Sequence, residues 1–162
     1  MNSDTQQIDL TVLTSQLSVF LNMLEEFTCV LDQEAEAIRT NKSENIIEVS
    51  QTKQGVAEKL NKAGTSLETI IKPLADNLVD LSISSAFIDF PANLKSQIKN
   101  AIDQTIKCHD KNLANGMSIQ ILSSLNGQAL DILSGKSNQE VKLYSSSGEQ
   151  NQSNDKKPLG TA

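Results

Sequence analysis

Leucine and phenylalanine recur at alternating steps of three and four through Leu10, Leu13, Leu17, Phe20, Leu24, Phe27 and Leu31, and the series resumes at Ile38. A strand cannot produce that period, because its side chains change face at every residue. A heptad seam held for about four repeats requires a helix of about 30 residues, some 45 Å long, with one narrow stripe buried against another helix. Glu34 stands where the seam calls for an apolar side chain. Thr40-Asn41-Lys42-Ser43 ends the helix, and Ser43 is placed to cap the next, with Glu44 in its first turn. So short a connection brings the second helix back antiparallel to the first.

The second helix repeats the pattern through Ile46, Val49, Lys53, Val56, Leu60, Ala63, Leu67 and Ile70. Lys53 is the odd member: its stem can lie along the seam while its ammonium reaches water or Glu34. Gly55 and Gly64 each weaken a helix by about 1 kcal/mol relative to Ala, so packing must hold this one. Pro73 should kink or end it, and Leu74, Leu78 and Leu81 continue the spacing weakly, which puts the hairpin at about residues 9–81. Asp89-Phe90-Pro91 opens a third helix, about 91–134, with Gly135 as its stop. The fold class expected is all-α: an elongated, coiled-coil-like antiparallel hairpin with a third helix, a helical domain over residues 1–135, and a flexible tail over 136–162 that is disordered from Ser145 onward.

Composition agrees with a narrow seam rather than a deep globular core. Hydrophobic residues are 38 %, aromatics 3 %, and there is no Trp. The net charge of −6 argues against nucleic acid, whose phosphates call for a basic face. The charge is uneven: residues 1–90 hold 6 Lys+Arg and 14 Asp+Glu, giving −8, whereas 91–162 hold 8 and 6, giving +2. With no basic leader before an apolar core and no run near 18 apolar residues, neither a cleaved export signal nor membrane insertion is expected. Cys29 and Cys108 are too few and too far apart for a disulfide framework or a zinc site, so both read as free thiols in a reducing cytoplasm.

Little here resembles a catalytic apparatus. Cys108-His109-Asp110 has the residue types of a cysteine-protease triad, but helical neighbours point about 100° apart and cannot converge. His109 shares a stripe with Leu94, Ile98, Ile102, Ile106 and Leu113 and reads as a packed core histidine. Glu25-Glu26 and Glu34-Ala35-Glu36 diverge on a helix, so solvated surface is a better reading than a metal site. No phosphate-binding glycine loop or nucleophile elbow is present. The chain is expected to be no enzyme and to take no cofactor or metal.

Beyond Asn115-Gly116 the apolar pattern of the third helix turns by more than about 90°, and Ile121, Leu122, Leu125, Ala129, Ile132 and Leu133 share an arc of about 120°. Gly116 and Gly127 weaken this half by about 1 kcal/mol each. A marginal helix with its own apolar stripe reads as a surface that docks a partner. Tyr144, with Val141 and Leu143 in an otherwise polar tail, offers a rigid apolar body with a polar tip, suited to a short docking site.

Asn112-x-x-Asn115-Gly116, the helix end Leu133-Ser134-Gly135, and Leu143-Tyr144-x-x-x-Gly148 together resemble the FlgN-type flagellar export chaperones over about residues 8–150. The resemblance implies a cytoplasmic chaperone of type III flagellar export. Its clients would be the hook-associated proteins of the hook-filament junction, kept from premature assembly and delivered to a component of the export gate. It also implies that Ile121, Leu122, Leu125, Ala129, Ile132 and Leu133 serve the client and that the Tyr144 segment serves the gate. A lysine at position 53 fits the resemblance too. Two alternatives stay open: a structural or adaptor coiled coil forming a homo-oligomer, so that self-association is admitted, and a small regulatory helical domain that binds a signalling protein.

Overall fold

A computed structural model of the chain describes residues 8–134. Within that range the elements are α1 (Leu10–Thr40), α2 (Ser43–Ile71), α3 (Leu78–Ile83), α4 (Ser85–Ile88) and α5 (Ala92–Leu133). No strand occurs among the described residues. Residues up to Ser123 belong to one compact unit, and those from Ser124 to a second.

Helix α1 starts where the Asp9 carboxylate accepts from the N–H groups of Thr11 and Val12, at 2.9 and 3.4 Å, satisfying donors that have no partner inside the helix. It stops at Asn41, which adopts a left-handed conformation (φ 50°) and donates its N–H to the Ile38 carbonyl. Asparagine tolerates that conformation better than most residues. Just before the turn, Arg39 grips both oxygens of Glu36. The hydrogen bond and the positive charge together hold the Glu36 carboxyl below its ordinary pKa.

The cap of α2 differs from the sequence expectation. Lys42 is the N-cap, extended in backbone and without a side-chain cap bond, and Ser43 is already the first helical residue. Two residues therefore separate α1 from α2. The helices run antiparallel, as Glu34 with Lys53, Glu26 with Lys59, and Phe20 with Gly64 show. Helix α2 ends at Ile71, just ahead of Pro73. The N–H groups of Leu74 and Ala75 both turn back to the Ile71 carbonyl, so Leu78 and Leu81 fall in a separate short helix rather than continuing α2.

The chain then returns. Leu81, Phe87 and Phe90 close one end of the core against Leu13, Leu17, Leu67 and Ile71, and α5 adds Leu94, Ile98 and Ala101 to the same cluster. Further along, Leu24, Leu31 and Cys108 form a second cluster beneath Phe20, Phe27 and Leu60. Helix α5 runs parallel to α1 at a constant offset of 84 residues. Cys108 Sγ donates to the Leu24 carbonyl at 3.6 Å and Asn115 Nδ2 to the Leu31 carbonyl at 2.8 Å.

The buried line on α5 is Leu94, Ile98, Ala101, Cys108 and Asn115. Ile106, His109 and Leu113, expected on the core side, are exposed, and Ile102 is only partly covered. Two helices lying side by side repeat their contacts every seven residues. The stripe through Ile102, Ile106 and Leu113 leaves that line, while small or polar residues at 101, 108 and 115 keep to it. Nor does the helix break at Asn115-Gly116; it continues to Leu133.

Replacing fully buried Ile98 by Ala should cost about 2–5 kcal/mol in urea denaturation. Ile106→Ala should stay within about 0.5 kcal/mol of wild type, and the reverse order would refute this assignment of the buried face.

Candidate functional site

Three helices meet at one carboxylate. Glu34 of α1 is 1 % exposed, and Lys53 of α2 donates to its two oxygens at 2.7 and 2.9 Å. Asn115 of α5 donates to Glu34 Oε2 at 3.0 Å as well as to the Leu31 carbonyl. Lys53 also donates to Asn112 Oδ1 at 3.2 Å. A carboxylate this deep is tolerable only when paired and hydrogen-bonded, and here it is both. Asn112 and Asn115 lie three residues apart, hence on neighbouring positions of one helix face, which accounts for the Asn-x-x-Asn spacing. Nothing in the fold requires the glycine that follows: a Cβ at Gly116 would meet no atom within 4 Å.

The outward apolar residues of α5 are of two sets. In the first unit Ile106, Leu113, Met117 and Ile121 are exposed, and Leu122 is half-buried. In the second unit all described residues, Ser124 to Ser134, are exposed. They include Leu125 at 54 %, Leu130 at 66 %, Ile132 at 65 % and Leu133 at 84 %, besides Ala129. Sequence reasoning missed Met117 and Leu130 and placed Ile106 and Leu113 inside. Tyr144 lies outside the described residues.

Ser124, Asn126 and Gly127 are poor helix formers, and a Cβ at Gly127 would meet nothing within 4 Å. In proteins a helix gains most of its stability from packing an apolar face. The described part of the second unit carries its apolar residues exposed.

The Cys108-His109-Asp110 run does not converge in the structure. Cys108 is buried with its thiol 2.9 Å from the Thr28 hydroxyl, while His109 and Asp110 point to solvent. Cys29 is exposed and, like Cys108, a free thiol. An open groove beside α1 is lined by Cys29 together with Glu25, Asp32, Glu36 and Glu48. Among the described residues no cluster of three or more His, Cys, Asp or Glu could hold a metal ion.

Among known families, the family model described as FlgN protein matches residues 3–152. No curated protein and no solved structure matches the chain.

The polar cluster makes a quantitative prediction. Lys53→Met strands Glu34 without its cation and should cost roughly 3 kcal/mol, at the low end for a broken buried pair because Lys53 is 23 % exposed. Adding Glu34→Leu to that variant should restore most of the loss, since an apolar pair of similar volume has no desolvation cost. A urea-denaturation double-mutant cycle checks this, and simply additive losses would show that the two side chains do not act as a pair.

Proposed function

Because the chain belongs to the FlgN family of flagellar export chaperones, we propose that it binds hook-associated proteins in the cytoplasm, holds them unassembled and delivers them to the export gate. The observation that carries this reading is the run of exposed apolar side chains on α5, with Leu125 and Ile132 in the second unit and Ile121 in the first. Surface leucines scattered singly mean little, but a helical stripe without a cover is a recognition surface. An apolar helix face covers an apolar segment of a partner reversibly, by burial alone.

The heptad seams do not favour a structural homo-oligomer. Leu13, Leu17, Leu24 and Leu31 are consumed inside the chain, against α2 and α5. No helix among the described residues is long and apolar enough to cross a membrane.

Client contact belongs to Ile121, Leu122, Leu125, Ala129, Ile132 and Leu133, and delivery to the segment around Tyr144. Leu125→Asp should weaken client binding by more than about ten-fold, because a carboxylate would be buried without a partner only in the complex. Its effect on the isolated protein should stay within about 0.5 kcal/mol, Leu125 being half exposed already. Isothermal titration and thermal melts separate the two, and a large drop in melting temperature would make Leu125 a core residue.

Tyr144→Ala should leave client binding intact and reduce client secretion, measured as export into the medium. Wild-type secretion would remove the docking role of the tyrosine.

A further inference from the structure

Within the first unit, the two halves of α5 are held to the hairpin by different chemistry. Up to Ile102 the contacts are apolar: Leu94, Ile98 and Ala101 are buried among Leu13, Leu17 and Ile71, with Ile102 packed against them. From Asp103 to Ser123 the buried residues are Cys108 and Asn115 alone. This second half is tied down by polar groups. The Cys108 thiol lies at the Thr28 hydroxyl and the Leu24 carbonyl, and the Asn115 amide donates to the Leu31 carbonyl and to Glu34. Asn112 accepts from Lys53, and Lys111 pairs with Asp32 at 2.6 Å between exposed side chains, where an ion pair contributes little.

Separating this half strands no polar group of the hairpin. The Leu24 carbonyl keeps the Thr28 hydroxyl at 2.8 Å, and the Leu31 carbonyl, inside α1, keeps its helical N–H donor. Glu34 keeps both bonds from Lys53 and gains water on the side that Asn115 leaves. The apolar members of the second cluster, Leu24, Leu31, Phe20 and Phe27 of α1 and Leu60 of α2, all belong to the hairpin, and α5 supplies only Cys108. Pulling away the first half would instead uncover Leu94 and Ile98, at 1 % and 0 % exposure, and the core around them. We propose that α5 opens in part: the turns from Cys108 to Ser123 come away from the hairpin reversibly, pivoting after Ile102, while Leu94, Ile98 and Ala101 stay in the core. Closed, these turns cover Leu24 and Leu31; open, they bare an apolar strip of α1. The second half of α5 is thus an autoinhibitory strap over the hairpin seam, set between two states of one chain.

The opening is a property of the chain alone, and Cys108 reports on it without a client. Cys29→Ser removes the exposed thiol and leaves buried Cys108 as the one cysteine of the full chain. With N-ethylmaleimide in excess, alkylation followed by mass spectrometry should run at least about ten-fold faster than the globally unfolded fraction, measured by urea denaturation, permits. Its rate should scarcely change at low urea, since the opening exposes little surface. Asn115→Ala on this background should speed alkylation about ten-fold, through loss of a hydrogen bond to a carboxylate. Ile98→Ala should lower overall stability yet leave the alkylation rate within about two-fold, because Ile98 remains buried in the open form. If Cys108 reacts no faster than global unfolding permits, or if Ile98→Ala speeds alkylation in proportion to the stability lost, α5 does not open separately and the proposal is overturned. An unchanged rate in folded Asn115→Ala would also overturn it, by leaving Asn115 docked while Cys108 reacts. Where Asn115→Ala does not fold, the urea dependence and the Ile98→Ala comparison decide.

Discussion

One buried carboxylate sets the register of the first unit. Glu34 interrupts an otherwise apolar seam, and its burial is tolerable only while Lys53 and Asn115 both reach it. Apolar contacts alone would let α1 and α2 slide by a heptad at modest cost. A slide that removes Lys53 from Glu34 strands a charge and is far more costly. Asn115 extends the same condition to α5, and Asn112 supports Lys53 from the same helix. The polar cluster thereby specifies an arrangement that leucines alone leave degenerate.

With the register fixed, α5 divides by what its side chains meet. Its inward line runs through Leu94, Ile98, Ala101, Cys108 and Asn115 and is met by both core clusters and by Glu34. The residues after that line retain apolar character and are exposed. Leu125, Leu130, Ile132 and Leu133 are as apolar as the core leucines and stand in solvent. Helix propensity does not explain their presence, because serines, asparagine and glycine interrupt them.

Much of this was legible in the sequence. The two seams, the short turn at Asn41, the helix stop ahead of Pro73 and the helix start after Pro91 all follow from periodicity and from residues with restricted backbones. The reach of Lys53 to Glu34 was readable because two charged residues stood at apolar positions of facing helices. The inward face of α5 was not. Isoleucines at 102 and 106 and a leucine at 113 carry more hydropathy than Ala101, Cys108 and Asn115, so counting apolar residues favoured the wrong side. The contact with α1 selects small side chains for fit and an amide for hydrogen bonding, neither of which hydropathy records. The capping of α2 was misassigned for a similar reason: Ser43 has the chemistry of a cap, but the tight turn at Asn41 brings Lys42 into that position.

The 84-residue offset between α1 and α5 also orders events in time. Helices α1 and α2 are joined by two residues and close locally, whereas the contacts of α5 with α1 span more than half the sequence and have a larger loop to close. During synthesis the hairpin emerges first and leaves Leu13, Leu17 and Ile71 partly uncovered. The next turns to emerge bring Leu94, Ile98 and Ala101, which cover them. The exposed apolar residues from Leu125 onward are translated only after Asn115, the last residue of the inward line of α5. A nascent chain therefore holds its whole inward line before those residues exist.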